Sequence, residues 1–208
     1  MKVLLINGSP RKNGNTNRAL TEIASTLATE GIDSEIFWIG NTPVRGCTAC
    51  GACRSRNPGK CVFDDDAANR IIEKLATSDG IVIGSPTYYG QPAGQLLAVW
   101  QRVCFAGGQY IVNKPAASVA VCRRGGSTAA FQCLNMPFEM LNSLIIGSQY
   151  WNVVFGRAEG ECEKDTEGMQ TMRTMAHNMA WVLKNLNREG AIPRAKPEED
   201  IQWMHFIR

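Results

Sequence analysis

Cys47, Cys50 and Cys53 recur at every third position, and Cys61 follows after seven intervening residues. Thiolates spaced this way can wrap one iron–sulfur cubane, as in ferredoxin-type cysteine runs. Tetrahedral zinc more often takes two separated C-x-x-C pairs. Gly46 and Gly51 allow tight backbone turns between the thiols, leaving N–H groups free to point at sulfur. The pattern favours a [4Fe–4S] cluster over zinc and over a metal-free thiol loop. The other cysteines read as structural: Cys104 and Cys133 on helix faces, Cys122 at a strand end and Cys162 in a loop.

A second chemical stretch lies at the start of the chain. The apolar run Val3-Leu4-Leu5-Ile6 stops at Asn7-Gly8-Ser9-Pro10-Arg11-Lys12-Asn13-Gly14-Asn15-Thr16-Asn17. Leu20, Ile23, Ala24 and Leu27 then fall on one helical face. A helix start offers unpaired N–H groups and partial positive charge. Ser9, Asn13, Asn15, Thr16 and Asn17 add side-chain donors and Arg11 a full charge, a set suited to a phosphate. The loop matches neither G-x-x-x-x-G-K-[ST] nor G-x-G-x-x-G, so a monophosphate fits better than a dinucleotide pyrophosphate. The alternative is an ordinary polar strand-to-helix loop.

A third stretch is Pro86-Thr87-Tyr88-Tyr89-Gly90, which leaves the apolar run Gly80–Gly84 and offers two flat rings and backbone groups to an aromatic ligand. Arg123-Arg124-Gly125-Gly126-Ser127 leaves another apolar run, 116–122. Its arginines either meet a ligand phosphate or are solvated. His177 and His205 have no metal-spaced or catalytic companion and read as incidental.

These loops are positioned by alternating elements. Strands are expected at 3–6, 33–39, 80–84, 116–122 and 144–154, the last broken near Gly147. Helices are expected after the first loop and over about 68–75, 92–105, 128–141 and 165–187. Five alternations imply a doubly wound α/β domain with a five-stranded parallel sheet, order 2-1-3-4-5. Ligand then sits beyond the carboxyl ends of the first and third strands. That rim carries both the phosphate loop and the tyrosine loop, and a flat ring with a monophosphate tail, FMN, fits it. The cysteine-rich loop at 43–63 leaves the second strand and is expected at the same end of the sheet. Met169, Met172, Ala176, Met179, Leu183 and Leu186 read as a packing stripe, since methionine fills irregular gaps. Residues 1–189 form the domain. Residues 190–208, with Pro193, Pro197, Trp203 and Phe206, form a C-terminal arm that packs on its own domain or on a neighbouring subunit.

A net charge of +3 on 208 residues is too small to argue for nucleic acid or an anionic membrane, and neither partner is expected. No segment approaches the roughly 18 uninterrupted apolar residues of a membrane span. The chain enters its first strand without a charged leader or cleavage site, so a cytoplasmic location with reduced cysteines is expected.

Taken together, Gly8-Ser9-Pro10-Arg11, Asn15-Thr16, the compact cysteine run, Asp64-Asp65-Asp66 and Gly84-Ser85-Pro86-Thr87-Tyr88-Tyr89 resemble the iron–sulfur flavoproteins, within the flavodoxin-like NAD(P)H-dependent FMN reductases. The likeness continues through Gly125-Gly126 and Tyr150-Trp151-Asn152. It implies a flavodoxin-like fold, one FMN and one [4Fe–4S] per subunit, and a homodimer or homotetramer. FMN phosphate contacts carry over to Ser9, Arg11, Asn15, Thr16 and Asn17, ring contacts to Pro86, Thr87, Tyr88, Tyr89 and Gly90, and cluster ligands to Cys47, Cys50, Cys53 and Cys61. Where the family often has Asp-Arg late in its third helix, this chain has Gln101-Arg102. The implied activity is an FMN oxidoreductase taking electrons from NAD(P)H or a ferredoxin-like donor to a quinone, a nitro- or azo-aromatic, an oxygen species or free flavin. The competing class is a non-enzymatic flavodoxin-like electron carrier, against which the positive charge counts.

Overall fold

The computed structural model describes residues 1–191 and Met204. Most of the expected C-terminal arm, including His205, lies outside the described residues.

Four long strands form most of the sheet: β1 (Lys2–Asn7), β2 (Asp33–Trp38) at one edge, β3 (Gly80–Tyr88) and β5 (Pro115–Cys122). β1 pairs in parallel with β2 and with β3, and β3 pairs in parallel with β5. The outer position is shared by two short pieces, β6 (Leu144–Ile145) and β7 (Val153–Phe155), both parallel to β5. Counted as one interrupted strand, they complete the order 2-1-3-4-5. Residues 146–152 leave the ladder between them, as the break expected near Gly147 implies. β1, the first five residues of β3 and β5 are almost wholly buried, mainly apolar runs, the mark of a parallel sheet covered on both faces.

Helices cover the two faces. α1 (Asn15–Thr29) and α6 (Thr166–Leu186) pack on one side, burying Leu20, Ile23 and Leu27 with Met172, Met175 and Met179. The methionine stripe is core, as its spacing implies, and Met175 joins it. Leu186 does not: it is about half exposed at the last residue of the helix. Asp165 caps α6 by accepting from the Gly168 N–H at 2.9 Å. α3 (Ala68–Ala76), α4 (Gly94–Gly107) and α5 (Ser127–Met140) cover the other face through Ile71, Ile72, Leu96, Trp100, Val103 and Phe138. A single helical turn, α2 (Ala52–Ser55), lies inside the cysteine loop.

One element runs longer than its sequence suggests. β3 continues four residues past Gly84 and returns as β4 (Gln91–Pro92), with Thr87 opposite Pro92 and Tyr88 opposite Gln91. Tyr89 and Gly90 both have positive φ, 51° and 79°. Positive φ at both central residues is the geometry of a two-residue type I′ hairpin turn. The tyrosine loop is therefore a rigid hairpin rather than an irregular exit.

Candidate functional site

The rim of the sheet is built first by β1. Asn7 is fully buried and organises the loop that follows. Its Oδ1 accepts from the Ser9 N–H at 3.0 Å, and its Nδ2 donates to the Lys12 carbonyl at 3.1 Å and to Asn17 Oδ1 at 3.3 Å. The Arg11 N–H donates to Ser9 Oγ at 3.1 Å, and the Trp38 indole Nε1 donates to the Ser9 carbonyl at 2.7 Å. The loop is thus fixed before any ligand arrives. Gly8 is required by crowding: a Cβ there would stand 2.4 Å from Leu96 Cδ2. At the start of α1, Gly14 provides no capping side chain, and the first turn carries no acidic residue. Its opening N–H groups are left to an outside anion.

The opposing wall comes from Pro86, Thr87 and Tyr88, with Val121, Cys122 and Arg123 from the end of β5. Together with Ser9, Arg11, Gly14, Asn15 and Thr16 they line a cleft of about 370 Å³. Thr87 Oγ1 is buried without a hydrogen-bond partner. An orphaned hydroxyl is costly unless a ligand satisfies it. An uncapped helix start at one end of the cleft and an unpaired hydroxyl in the other wall fit a nucleotide carrying one phosphate, as FMN does.

The remaining expected contacts are placed differently. The Asn15 amide turns away: Nδ2 donates to the Ala158 carbonyl at 2.8 Å and Oδ1 accepts from the Cys162 N–H at 3.4 Å. Asn17 Oδ1 holds Asn7, and Asn13 is exposed outside the cleft lining. Tyr89 is fully exposed at the hairpin tip beside Gly90. Arg124, Gly125 and Gly126 line a neighbouring cavity of about 270 Å³ with Tyr150 and Trp151. Sequence reasoning did not name Gly156, Arg157 and Glu159, which close the cleft from the loop after β7. Their only sequence signal is a Gly-Arg pair leaving an apolar strand.

The cysteine loop forms a separate cavity of about 230 Å³, lined by Cys47, Cys50, Cys53 and Cys61 with Phe63, Arg102 and Phe105. All four are free thiols. Ala49 and Gly51 have positive φ, 52° and 70°, and coil the backbone around the thiols. The Ala49 N–H donates to Cys47 Sγ at 3.4 Å. Hydrogen bonding from the backbone of Ala52 pulls the Cys50 thiol below its ordinary pKa. The Ala52 donor favours the thiolate of Cys50. Among the described residues no three His, Cys, Asp or Glu side chains converge on one metal ion. Thiolates on a single tetrahedral ion would stand only about 3.8 Å apart.

The position of this cavity corrects one expectation. The loop does leave β2 at the ligand rim, but it then folds back along α4 and meets Arg102, Phe105 and Ala106. Arg102 lies about 12 Å along the helix axis from Gly94 at the rim. The thiol cavity and the nucleotide cleft therefore do not share one edge.

Asn69 and Arg102, both buried, hold the second half of the loop, and sequence reasoning assigned neither. Asn69 accepts from the Cys61 N–H at 2.8 Å and donates to the Cys61 carbonyl at 3.0 Å. Arg102 is ion-paired with Asp66, whose side chain is only 4% exposed. Burial pulls the guanidinium pKa down, but the hydrogen bonds it donates to Asp66 and Cys61 outweigh that and hold it above its ordinary value.

Comparison with known proteins agrees with this geometry. The profile of the NADPH-dependent FMN reductase family matches residues 1–158. An iron–sulfur flavoprotein of Methanocaldococcus jannaschii is 32% identical over 196 residues, covering 90% of this chain and 100% of that protein. Among solved structures, RosB with bound 8-demethyl-8-formylriboflavin-5'-phosphate has a TM-score of 0.68 at 14% identity, covering 99% of this chain and 96% of its own. A flavodoxin, WrbA-like protein from Agrobacterium tumefaciens has a TM-score of 0.57 at 15% identity, covering 88% and 98%. At such identities these two structures establish the flavodoxin-like fold alone.

Proposed function

The chain belongs to the iron–sulfur flavoproteins within the NADPH-dependent FMN reductase family, and we propose that it passes electrons from a nicotinamide nucleotide or a ferredoxin-like carrier to a small acceptor. It is a flavin-dependent oxidoreductase. The acceptor class is a quinone, a nitro- or azo-aromatic, an oxygen species or free flavin. The observation that carries the FMN site is the single cleft bounded by the uncapped start of α1 and the orphaned Thr87 hydroxyl.

When bound, FMN supplies the electron-accepting and electron-donating chemistry. The protein's part is to bind and orient. Ser9, Thr16 and the first N–H groups of α1 are the phosphate seat, with Arg11 and Arg123 adding charge at the cleft. The Pro86–Tyr88 wall, stiffened by the hairpin turn, holds the ring, and the unpaired Thr87 hydroxyl in that wall supports this reading. No side chain is required as nucleophile or general base.

We further propose that Cys47, Cys50, Cys53 and Cys61 hold a [4Fe–4S] cluster. Arg54 and Arg56 lie exposed on the same loop as exposed Cys50. They suit an acidic electron carrier as donor. Exposed Met136, Met140, Leu144 and Ile145 give α5 and the sheet edge an apolar face consistent with a homodimer or homotetramer. Among the described residues no helix is long and apolar enough to cross a membrane.

The test is anaerobic purification followed by an absorbance spectrum, iron and sulfide analysis, and assays with NADH, NADPH and a reduced ferredoxin against a quinone. Flavin bands, about four irons per chain and acceptor-dependent turnover are expected. Flavin without turnover from any donor would move the protein to the carrier class.

A further inference from the structure

Arg102 occupies an unusual place. It lies on α4 between the apolar residues Trp100 and Val103, yet its side chain is only 2% exposed and its hydrogen bonds run to the cysteine loop and to Asp66 just after it. Its Nε donates to Cys61 Sγ at 3.2 Å. Its Nη1 donates to the Arg45 carbonyl at 3.3 Å and to Asp66 Oδ2. Its Nη2 donates to the Phe63 carbonyl at 2.9 Å. Arg45 precedes the first cysteine of the run and Phe63 follows the last. One guanidinium therefore staples both ends of the loop to the core and touches a thiol between them.

The charge balance matters equally. Asp66 neutralises the guanidinium through Oδ2 while its Oδ1 accepts from the Ala68 N–H at 2.9 Å at the start of α3. The Phe63 ring lies near both guanidinium groups at the loop's ends, its centre 5.7 Å from the Arg102 Cζ and 4.5 Å from the Arg45 Cζ. Burial makes both the positive charge and its partial neutralisation strongly felt at Cys61, because a low-dielectric surrounding screens little. Hydrogen bonds to cluster sulfurs, net charge and solvent exposure are the levers by which a protein sets a cluster's reduction potential.

We propose that Arg102 is the positioning residue of the thiol cavity and, with Asp66, sets the reduction potential of the group held by Cys61. This rests on the reading that the four thiols hold a [4Fe–4S] cluster. One-electron reduction, by a mediator or by dithionite, adds one negative charge next to Cys61. The Arg102 N–H and charge favour that reduced state, and Asp66 opposes it. The two residues thus act on the potential with opposite signs, which a purely structural staple would not do.

The experiment uses the full chain purified anaerobically, with iron and sulfide content and the cluster midpoint potential read by EPR-monitored titration. In Arg102→Gln the potential moves to more negative values. In Asp66→Asn it moves to less negative values, since the asparagine oxygen still accepts from Ala68 but no longer neutralises the guanidinium. Arg102→Lys keeps the charge without the fork and falls between wild type and Arg102→Gln. An Arg102→Gln protein with wild-type iron content and potential overturns the proposal, as do shifts of the same sign in Arg102→Gln and Asp66→Asn. If the Arg102 variants fail to fold by circular dichroism, the Asp66→Asn shift decides alone: an unchanged or more negative value overturns the proposal. Wild-type protein without iron and acid-labile sulfide would overturn the cluster reading itself and this proposal with it, a failure visible before any variant is made.

Discussion

Gly126 and Gly90 meet backbone to backbone: a Cβ on Gly126 would stand 2.9 Å from the Gly90 Cα and 3.2 Å from its nitrogen. The loop leaving β5 is thereby locked against the β3–β4 hairpin that forms one wall of the nucleotide cleft. Gly126 also has φ +86°, a conformation that side chains rarely adopt.

Gly126→Ala therefore meets two obstacles at once. The backbone strain alone costs about 1–3 kcal/mol, and relief requires the hairpin to shift. The variant is expected to melt several degrees lower and to bind FMN at least about tenfold more weakly, the equivalent of about 1.4 kcal/mol. Unchanged FMN affinity by fluorescence titration would show that the two loops are not coupled.

Thr87→Val tests the orphaned hydroxyl with opposite signs in two assays. Removing a buried unsatisfied group of similar shape leaves the FMN-free protein as stable as wild type or more stable, by up to about 1 kcal/mol. FMN affinity falls, because the ligand loses its partner. Equal FMN affinity in both proteins would mean that Thr87 Oγ1 faces no flavin atom.

Glu35 gives the acid limb of stability. Lys2 Nζ bonds it at 2.8 Å and Lys74 bonds its other oxygen, and these contacts hold its pKa below the ordinary 4.5. Between the folded value and 4.5 the unfolded chain binds more protons, so stability rises with pH through that window. The contribution is complete above it and is lost as acid takes the pH down through the folded value. Glu35→Gln should therefore lose less of its urea midpoint than wild type between about pH 7 and about pH 3. Parallel acid limbs would refute the assignment.

Burial pushes the Cys104 thiol up to about 12. A group so placed has almost no thiolate near neutrality. Cys104 is only half-buried, so the scarcity of thiolate is what protects it: native protein treated briefly with iodoacetamide near neutral pH should be labelled there much more slowly than denatured protein, by peptide mass mapping. Native labelling at the denatured rate would contradict the raised pKa.

Much of this architecture was legible because its signals are local. The apolar runs at 3–6, 80–84 and 116–122 announce covered parallel strands, and the polar residues 8–17 announce an anion loop. The hairpin was not legible, since Tyr89 adopts a conformation that sequence assigns to glycine or asparagine. The closing wall from Gly156 to Glu159 was missed because it reaches the cleft from the far end of the chain. Arg102 was missed because its partners Asp66 and Cys61 lie 36 and 41 residues away. The available hints were an arginine on an apolar helix face and the Gln101-Arg102 pair standing where the resembled family often has Asp-Arg. The displacement of the thiol cavity from the rim was also hidden: spacing shows that thiols can share a group but not where their loop folds back.

The central claim is a seat for one flavin mononucleotide between the start of α1 and the β3 hairpin. Titrating flavin-free protein with FMN and, separately, with riboflavin tests it most directly, because the two ligands differ only in the phosphate that the uncapped helix start is built to receive. The structure predicts one FMN per chain and riboflavin binding weaker by at least about 100-fold, about 2.7 kcal/mol. Riboflavin bound as tightly as FMN, or no binding of either, would contradict it.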